Sequence, residues 1–67
     1  MQVSYYFNEW LQTKYGSSYE VNDGEYGSFA YVNGVRVWSK QHGGSINLAD
    51  NARARELHAN WIMETGA

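Results

Sequence analysis

FAYVNGVRVW, residues 29–38, contains Asn33-Gly34 between two runs of side chains that alternate in polarity. Asn-Gly accepts the positive φ angles of a two-residue type I′ turn, and alternation is typical of strands with one buried face. The segment therefore predicts an antiparallel hairpin of strands 25–32 and 35–41, with Val32 opposite Val35.

A second turn is predicted before this hairpin. Residues 17–21 are rich in strand-forming side chains, and Asp23-Gly24 follows them. Asp-Gly also favours a two-residue turn, which would set Val21 opposite Tyr26. Together the two turns predict a three-stranded antiparallel sheet.

This register predicts two different faces for the sheet. One would be apolar and covered by helices, with Tyr19, Val21, Tyr26, Ala30, Val32, Val35 and Val37. The other would be exposed, with rings and cations side by side. We take that face as the candidate partner-binding site: Phe29, Tyr31, Arg36, Trp38 and Lys40. The alternative is that cross-strand aromatic pairs, such as Phe29 with Trp38, only stabilise a small sheet.

Helices are predicted at both ends of the chain. Apolar residues at helical spacing indicate a helix over 5–15, between Ser4 as N-cap and Gly16 as its end. Residues 48–64 lack Pro and Gly and are rich in helix formers, and Asn47 with Asp50 resembles a capping box. The prediction is one α+β domain over residues 1–67, in the order α-β-β-β-α, with two layers and both helices on one face of the sheet.

The second helix carries two apolar stripes. Leu48, Ala49, Ala52, Ala59, Ile62 and Met63 share one arc, and Ala54, Leu57 and Trp61 share another. One arc would face the sheet and the other the first helix. The alternative is a contact between copies of the chain, such as a homodimer, or a groove for a partner, with Leu57 and Trp61 as anchors.

Several segments resemble the double-stranded RNA-binding domain. FNEWLQ (7–12) is similar to that family's first-helix pattern, YEV (19–21) to its first strand, and FAYVNG (29–34) to the strand before its Asn/Gly turn. Ser45 with the alanines at 49, 52 and 54 follows the small-residue spacing where the family's second helix begins. The resemblance implies the α-β-β-β-α fold, and it places Glu9 where the family can meet a ribose hydroxyl.

The departures from that family fall where RNA would be contacted. Residues 46–50 stand in place of the family's basic cluster and contain no Lys or Arg. The Gly-Pro-x-His loop is missing as well. The chain carries five Lys and Arg against seven Asp and Glu, a net charge of −2. Neutralisation of phosphates by cations supplies much of the affinity for nucleic acid. We therefore expect this chain to have the family's fold without its binding of double-stranded RNA.

Composition excludes several kinds of chemistry. The 67 residues include no cysteine, and His42 and His58 are the two histidines. A zinc site needs three or four ligands, so we expect no metal, no cofactor and no catalytic group. The longest apolar run, residues 29–32, is too short to span a membrane, and we expect a cytoplasmic protein.

Three functions stay open at this point. The first is a non-enzymatic protein-binding module, such as the small accessory proteins with which phages and mobile elements inhibit a host or defence factor by occlusion. The second is nucleic-acid binding, either of single strands whose bases stack on the aromatic face of the sheet or of RNA by a degenerate double-stranded RNA-binding domain. The third is a homo-oligomeric structural role. Aromatic residues and Arg mark the centres of protein interfaces, which favours the first.

Overall fold

An antiparallel sheet of four strands lies between two helices in the chain order. The structure, a computed structural model, describes residues 1–66. Its elements are α1 (Tyr5–Tyr15), a short 3₁₀ turn (Gly16–Ser18), β1 (Tyr19–Gly24), β2 (Gly27–Val32), β3 (Val35–Gln41), β4 (Ile46–Leu48) and α2 (Ala52–Thr65). The strands lie side by side in sequence order. The α+β class is as predicted, but the sheet has one strand more than expected.

Helix α1 begins and ends where the sequence predicts. The Ser4 hydroxyl accepts a hydrogen bond from the Tyr6 N–H at 3.1 Å, which satisfies one free donor of the first turn. The helix ends before Gly16, which has a φ of 51°. Phe7 and Leu11, one turn apart, are fully buried. The helix therefore packs on the sheet through one face.

The turn at Asn33-Gly34 is confirmed. Asn33 has a φ of 50° and Gly34 a φ of 81°, as a type I′ turn requires at both positions. Val32 lies opposite Val35 and Tyr31 opposite Arg36. The last residues of β2 and the first of β3 thus have the predicted register.

The turn between β1 and β2 lies two residues later than predicted. Glu25 and Tyr26 form it, and β1 continues through Gly24, which pairs with Gly27. Val21 consequently lies opposite Ala30 rather than Tyr26. The shift sets Tyr19 opposite Val32, where its side chain reaches the core, and core burial therefore overrides the Asp-Gly signal.

A β-bulge in β3 overturns the predicted pairing of Phe29 with Trp38. Beyond the pair Tyr31–Arg36, the next pair is Ala30–Trp38, so Val37 is an extra residue in β3. Both Val37 and Trp38 are buried as a result. Phe29 lies opposite Ser39 instead.

The fourth strand, β4, lies where the sequence predicts the start of a helix. Ile46–Leu48 pairs with β3, and α2 begins only at Ala52. Asn51, not Asn47, is the N-cap: its side-chain oxygen accepts a hydrogen bond from the Ala54 N–H at 2.8 Å. The end of α2 is as predicted, at Gly66 with a φ of 71°.

A single core joins the two helices to one face of the sheet. Its buried members are Phe7, Leu11, Tyr19, Ala30, Val32, Val37, Trp38, Ile46, Ala54, Leu57 and Trp61. Three residues predicted on this covered face, Val21, Tyr26 and Val35, are exposed. Within residues 1–66 neither helix has the length and apolar character that crossing a membrane requires.

Candidate functional site

The face of the sheet turned away from the core carries a mixed polar and aromatic surface. Because paired residues of antiparallel strands point to the same side, the register assigns its members. They are Glu20 and Asn22 of β1, Phe29 and Tyr31 of β2, Arg36, Ser39 and Gln41 of β3, and Asn47 of β4. We call this set the uncovered face.

Arg36 and Phe29 form the centre of the uncovered face. The Arg36 guanidinium carbon lies 4.5 Å from the centre of the Phe29 ring, a cation–π contact between diagonal neighbours on adjacent strands. Phe29 is 40% exposed, Arg36 is exposed, and Tyr31 is half-buried opposite Arg36. The side chains of three predicted binding residues, Phe29, Tyr31 and Arg36, are therefore brought together as expected.

Trp38 does not lie on the uncovered face, so its predicted placement is wrong. It is 4% exposed, and its indole N–H donates to the Tyr19 hydroxyl at 2.7 Å. The bulge at Val37 is the cause, since one extra residue in β3 reverses the direction of the side chains that follow. Trp38 is a core residue and cannot serve as the anchor of a surface contact.

Lys40 is also on the other side of the sheet. It pairs with Ser28 and with the buried Ile46, and both point toward the helices. The same reversal after the bulge explains this difference from the prediction. Arg36 precedes the bulge and keeps its predicted position.

Leu57 and Trp61, the predicted contact between copies, are in the core. Leu57 is fully buried, and Trp61 is 7% exposed with its ring 5.4 Å from that of Phe7. This stripe of α2 packs inward, whereas Ile62 and Met63 of the other stripe are exposed. The structure fits the first interpretation of this stripe, that it packs within the fold, and the two buried residues are poorly placed to bind a second copy.

Tyr19 joins three elements through its hydroxyl. The hydroxyl donates to the side-chain oxygen of Asn8 at 2.5 Å and accepts from Trp38. Burial raises the pKa of Tyr19 to about 12, and the hydrogen bond from Trp38 opposes part of that rise. A neutral phenol with both hydrogen-bonding roles occupied is a structural link, not a reactive group.

The two histidines lie apart and in different surroundings. The His58 ring lies edge-on to Phe7 at 5.3 Å, and burial lowers the pKa of His58. One ring nitrogen of His42 lies 3.2 Å from the Gly24 carbonyl oxygen. In the part of the chain that the structure describes, no three side chains of His, Cys, Asp or Glu are grouped to hold a metal ion.

A groove on the helix side of the sheet was not predicted from the sequence. It has a volume of about 480 Å³ and lies between one side of α1 and the end of the sheet nearest the β1–β2 turn. Its lining includes Gln12 of α1, Val21 and Asp23 of β1, and Lys40 of β3. The groove depends on the shifted turn and on the bulge, and neither has a local signal in the sequence.

Comparisons with protein-family models, with curated proteins and with solved structures found no match to this chain. On the uncovered face, the cation–π contact of Arg36 with Phe29 gives the exposed side chains a defined geometry.

Proposed function

We propose that this protein is a non-enzymatic module that binds another protein through the uncovered face, with Phe29, Tyr31 and Arg36 at the centre of the contact. One observation carries the proposal: the Arg36 guanidinium is held over the Phe29 ring, 4.5 Å from its centre, on a sheet face that neither helix covers. A cation already ordered against a ring loses less side-chain entropy when a partner binds.

The composition of the uncovered face supports a protein partner. Aromatic side chains and Arg are enriched at the centres of protein interfaces, where they supply most of the binding energy. Around them lie uncharged polar side chains, Asn22, Ser39, Gln41 and Asn47. A polar rim around an aromatic centre is the usual anatomy of such a contact.

The charge of the same face argues against nucleic acid as the main partner. Among its side chains in residues 1–66, Arg36 is the one cation, and Glu20 lies opposite Tyr31. A single cation beside a carboxylate neutralises little phosphate, although the rings could still stack on bases. Nucleic-acid binding is therefore the second candidate.

The resemblance to the double-stranded RNA-binding domain stays a prediction about fold. Residues 46–50, aligned with that family's basic cluster, belong to β4 and the turn after it. The cations near the start of α2 are Arg53 and Arg55, and each forms an ion pair, with Glu56 and Asp50 respectively. Inhibition of a larger factor by occlusion, and a cytoplasmic location, likewise stay predictions.

Affinity capture with matched variants tests the proposal. The bait is the purified protein, the double variant Phe29→Ala/Arg36→Ala, or the control Tyr6→Ala/Met63→Ala, whose side chains are exposed on the helices. Extracts of the organism that carries the gene are used with and without nuclease. We expect a partner protein that binds the wild type and the control equally, resists nuclease and is lost with the double variant.

Two results would contradict this function. Equal capture by all three baits would remove the uncovered face as the binding surface. Loss of capture after nuclease, together with salt-dependent binding of a labelled single-stranded oligonucleotide, would favour nucleic acid instead. Thermal unfolding of each bait by circular dichroism verifies that the variants are folded.

A further inference from the structure

The two edge strands of the sheet differ in whether their outward backbone groups are hydrogen-bonded. The outer edge of β4 is covered by the first residues of the chain: the Val3 N–H donates to the Ile46 carbonyl oxygen at 2.9 Å, and the Leu48 N–H donates to that of Met1 at 2.8 Å. Gln2 and Asn47 form an antiparallel bridge between them. The outer edge of β1 has no such cover among residues 1–66.

The register shows which backbone groups of β1 are free. Ser18 accepts a hydrogen bond from the Asn33 N–H at 2.9 Å, so its carbonyl points toward β2. Because antiparallel pairs alternate, Glu20 and Asn22 also bond to β2, and Tyr19, Val21 and Asp23 point outward. The N–H of Tyr19 bonds to the Gly16 carbonyl.

Val21 and Asp23 therefore offer both N–H and C=O at this edge, and Tyr19 offers its C=O. Within the described residues, no turn, cap or side chain forms a hydrogen bond with these outward groups. Unpaired edge groups of this kind are a template for another extended chain. The edge also lacks Lys and Pro, two residues with which natural proteins block it.

Charge indicates what kind of chain fits the edge. Residues 15–35 contain no Lys or Arg, and they contain Glu20, Asp23 and Glu25, all exposed. Two copies paired through β1 would bring these carboxylates together, and like charges on adjacent strands are destabilising. A basic strand would instead gain attraction from the same groups.

The two faces of the sheet favour different side chains on a strand added at this edge. Glu20 points to the uncovered face, where a cation on an added strand would meet it. Val21 points to the helix side, is 41% exposed and borders the groove of about 480 Å³. An apolar side chain on the added strand would pack against Val21 there. The favoured pattern is alternating basic and apolar residues.

We propose that β1 binds an extended segment of a partner protein as a fifth strand, and that this segment alternates Lys or Arg with apolar residues. Backbone hydrogen bonds to Val21 and Asp23 would hold it, and Glu20 would select its charge. This surface is separate from the centre of the uncovered face, so the two proposals succeed or fail independently.

Synthetic peptides of six residues, the length of β1, test the proposal. Lys alternates with Val, Leu or Tyr in the three probes. Matched peptides carry Glu in place of Lys, or N-methyl groups at alternate backbone nitrogens. Binding is followed by fluorescence anisotropy and by amide NMR shifts of the protein. We expect the Lys peptides alone to bind, with the largest shifts at Val21 and Asp23.

Variants of one position separate backbone pairing from side-chain contact. Val21→Pro removes an outward N–H and leaves the β1–β2 hydrogen bonds in place, whereas Val21→Thr keeps that N–H. We expect Val21→Pro to weaken binding by about fivefold or more and Val21→Thr to change it by less than about twofold. Glu20→Lys should transfer the preference from the Lys peptides to the Glu peptides.

Several outcomes would overturn the assignment. No binding by any Lys peptide would do so, as would equal binding of the N-methylated peptides, because backbone pairing would then be absent. Shifts centred on Phe29 and Arg36 would move the peptide to the other surface. A dimer of the free protein that is lost with Val21→Pro would show that a second copy occupies the edge.

Discussion

The indole N–H of Trp38 donates to the Tyr19 hydroxyl at 2.7 Å, and that hydroxyl donates to Asn8 in turn. One short chain of side-chain hydrogen bonds thus joins β3, β1 and α1. It holds the two features that the sequence does not predict, the bulge before Trp38 and the shifted turn after β1. Its removal should affect the fold more than any change on the uncovered face.

Tyr19→Phe should lower the free energy of unfolding by about 1–3 kcal/mol, because it leaves the buried N–H of Trp38 without an acceptor. Urea unfolding followed by circular dichroism measures the loss. The double variant Tyr19→Phe/Trp38→Phe should lose less than the sum of the single losses. Phe29→Ala, on the uncovered face, is the comparison and should cost less than Tyr19→Phe. If Tyr19→Phe left the free energy of unfolding unchanged, the hydrogen bond from Trp38 would contribute nothing to stability.

Stability should also fall at alkaline pH through Tyr19. Its pKa is raised from 10.0 to about 12 in the folded protein, mainly by burial, so the unfolded chain loses this proton first. The stabilisation is complete below pH 10.0 and is lost as the pH rises toward about 12. Thermal unfolding over this range should show the decline, and Tyr19→Phe should reduce it. An identical decline in both proteins would assign the effect to other groups.

Gly27→Ala should be strongly destabilising. A Cβ at this position would lie 2.0 Å from the Lys40 carbonyl oxygen, and the φ of 146° is unfavourable for any side chain. We expect a loss on the order of 2 kcal/mol or more in urea unfolding.

Gly34→Ala is the matched control for this substitution. Gly34 also has a positive φ, 81°, but a Cβ added there would have no atom within 4 Å beyond its chain neighbours. The Gly34→Ala variant should lose about 1 kcal/mol of stability, from the backbone conformation alone. Equal losses of stability from the two substitutions would mean that the close approach of β2 to β3 at Gly27 leaves enough room for a Cβ.

Asn51→Ala should cost about 1–2 kcal/mol, because Asn51 has two roles. Its oxygen caps α2, and its amide nitrogen donates to the Arg36 carbonyl oxygen at 2.9 Å. Asn51→Ser keeps a capping oxygen and loses the second bond without setting another acceptor against the Arg36 carbonyl oxygen, so it should cost less. Asn47→Ala should stay within about 0.5 kcal/mol in the same urea titration. A larger loss of stability from Asn47→Ala than from Asn51→Ala would favour Asn47 as the N-cap, as predicted from the sequence.

Local signals are sufficient for part of the fold. Ser4 and Gly16 delimit α1 because capping depends on residues adjacent to the helix. Asn33-Gly34 sets its turn because both residues tolerate a positive φ. These features need no knowledge of distant contacts, and the predicted bounds of α1 and β3 match the structure.

The remaining differences come from contacts between distant parts of the chain. Strand β4 is held between β3 and residues 1–3, about 45 positions away in sequence, and nothing near Ile46 indicates this. The bulge at Val37 lets two consecutive side chains enter the core, which simple alternation excludes. For that reason alternation places Phe29, Tyr31 and Arg36 correctly, and it misplaces Trp38 and Lys40.

The cover that residues 1–3 provide over β4 limits how the sheet can grow. A sheet with two uncovered edge strands can pair with further copies at both edges without end and form a fibril. Here residues 1–3 already cover the edge at β4, so another copy could pair only at β1. Growth of the sheet would then stop after one addition. We therefore expect that deletion of residues 1–3 would uncover a second edge and favour aggregates that bind amyloid dyes.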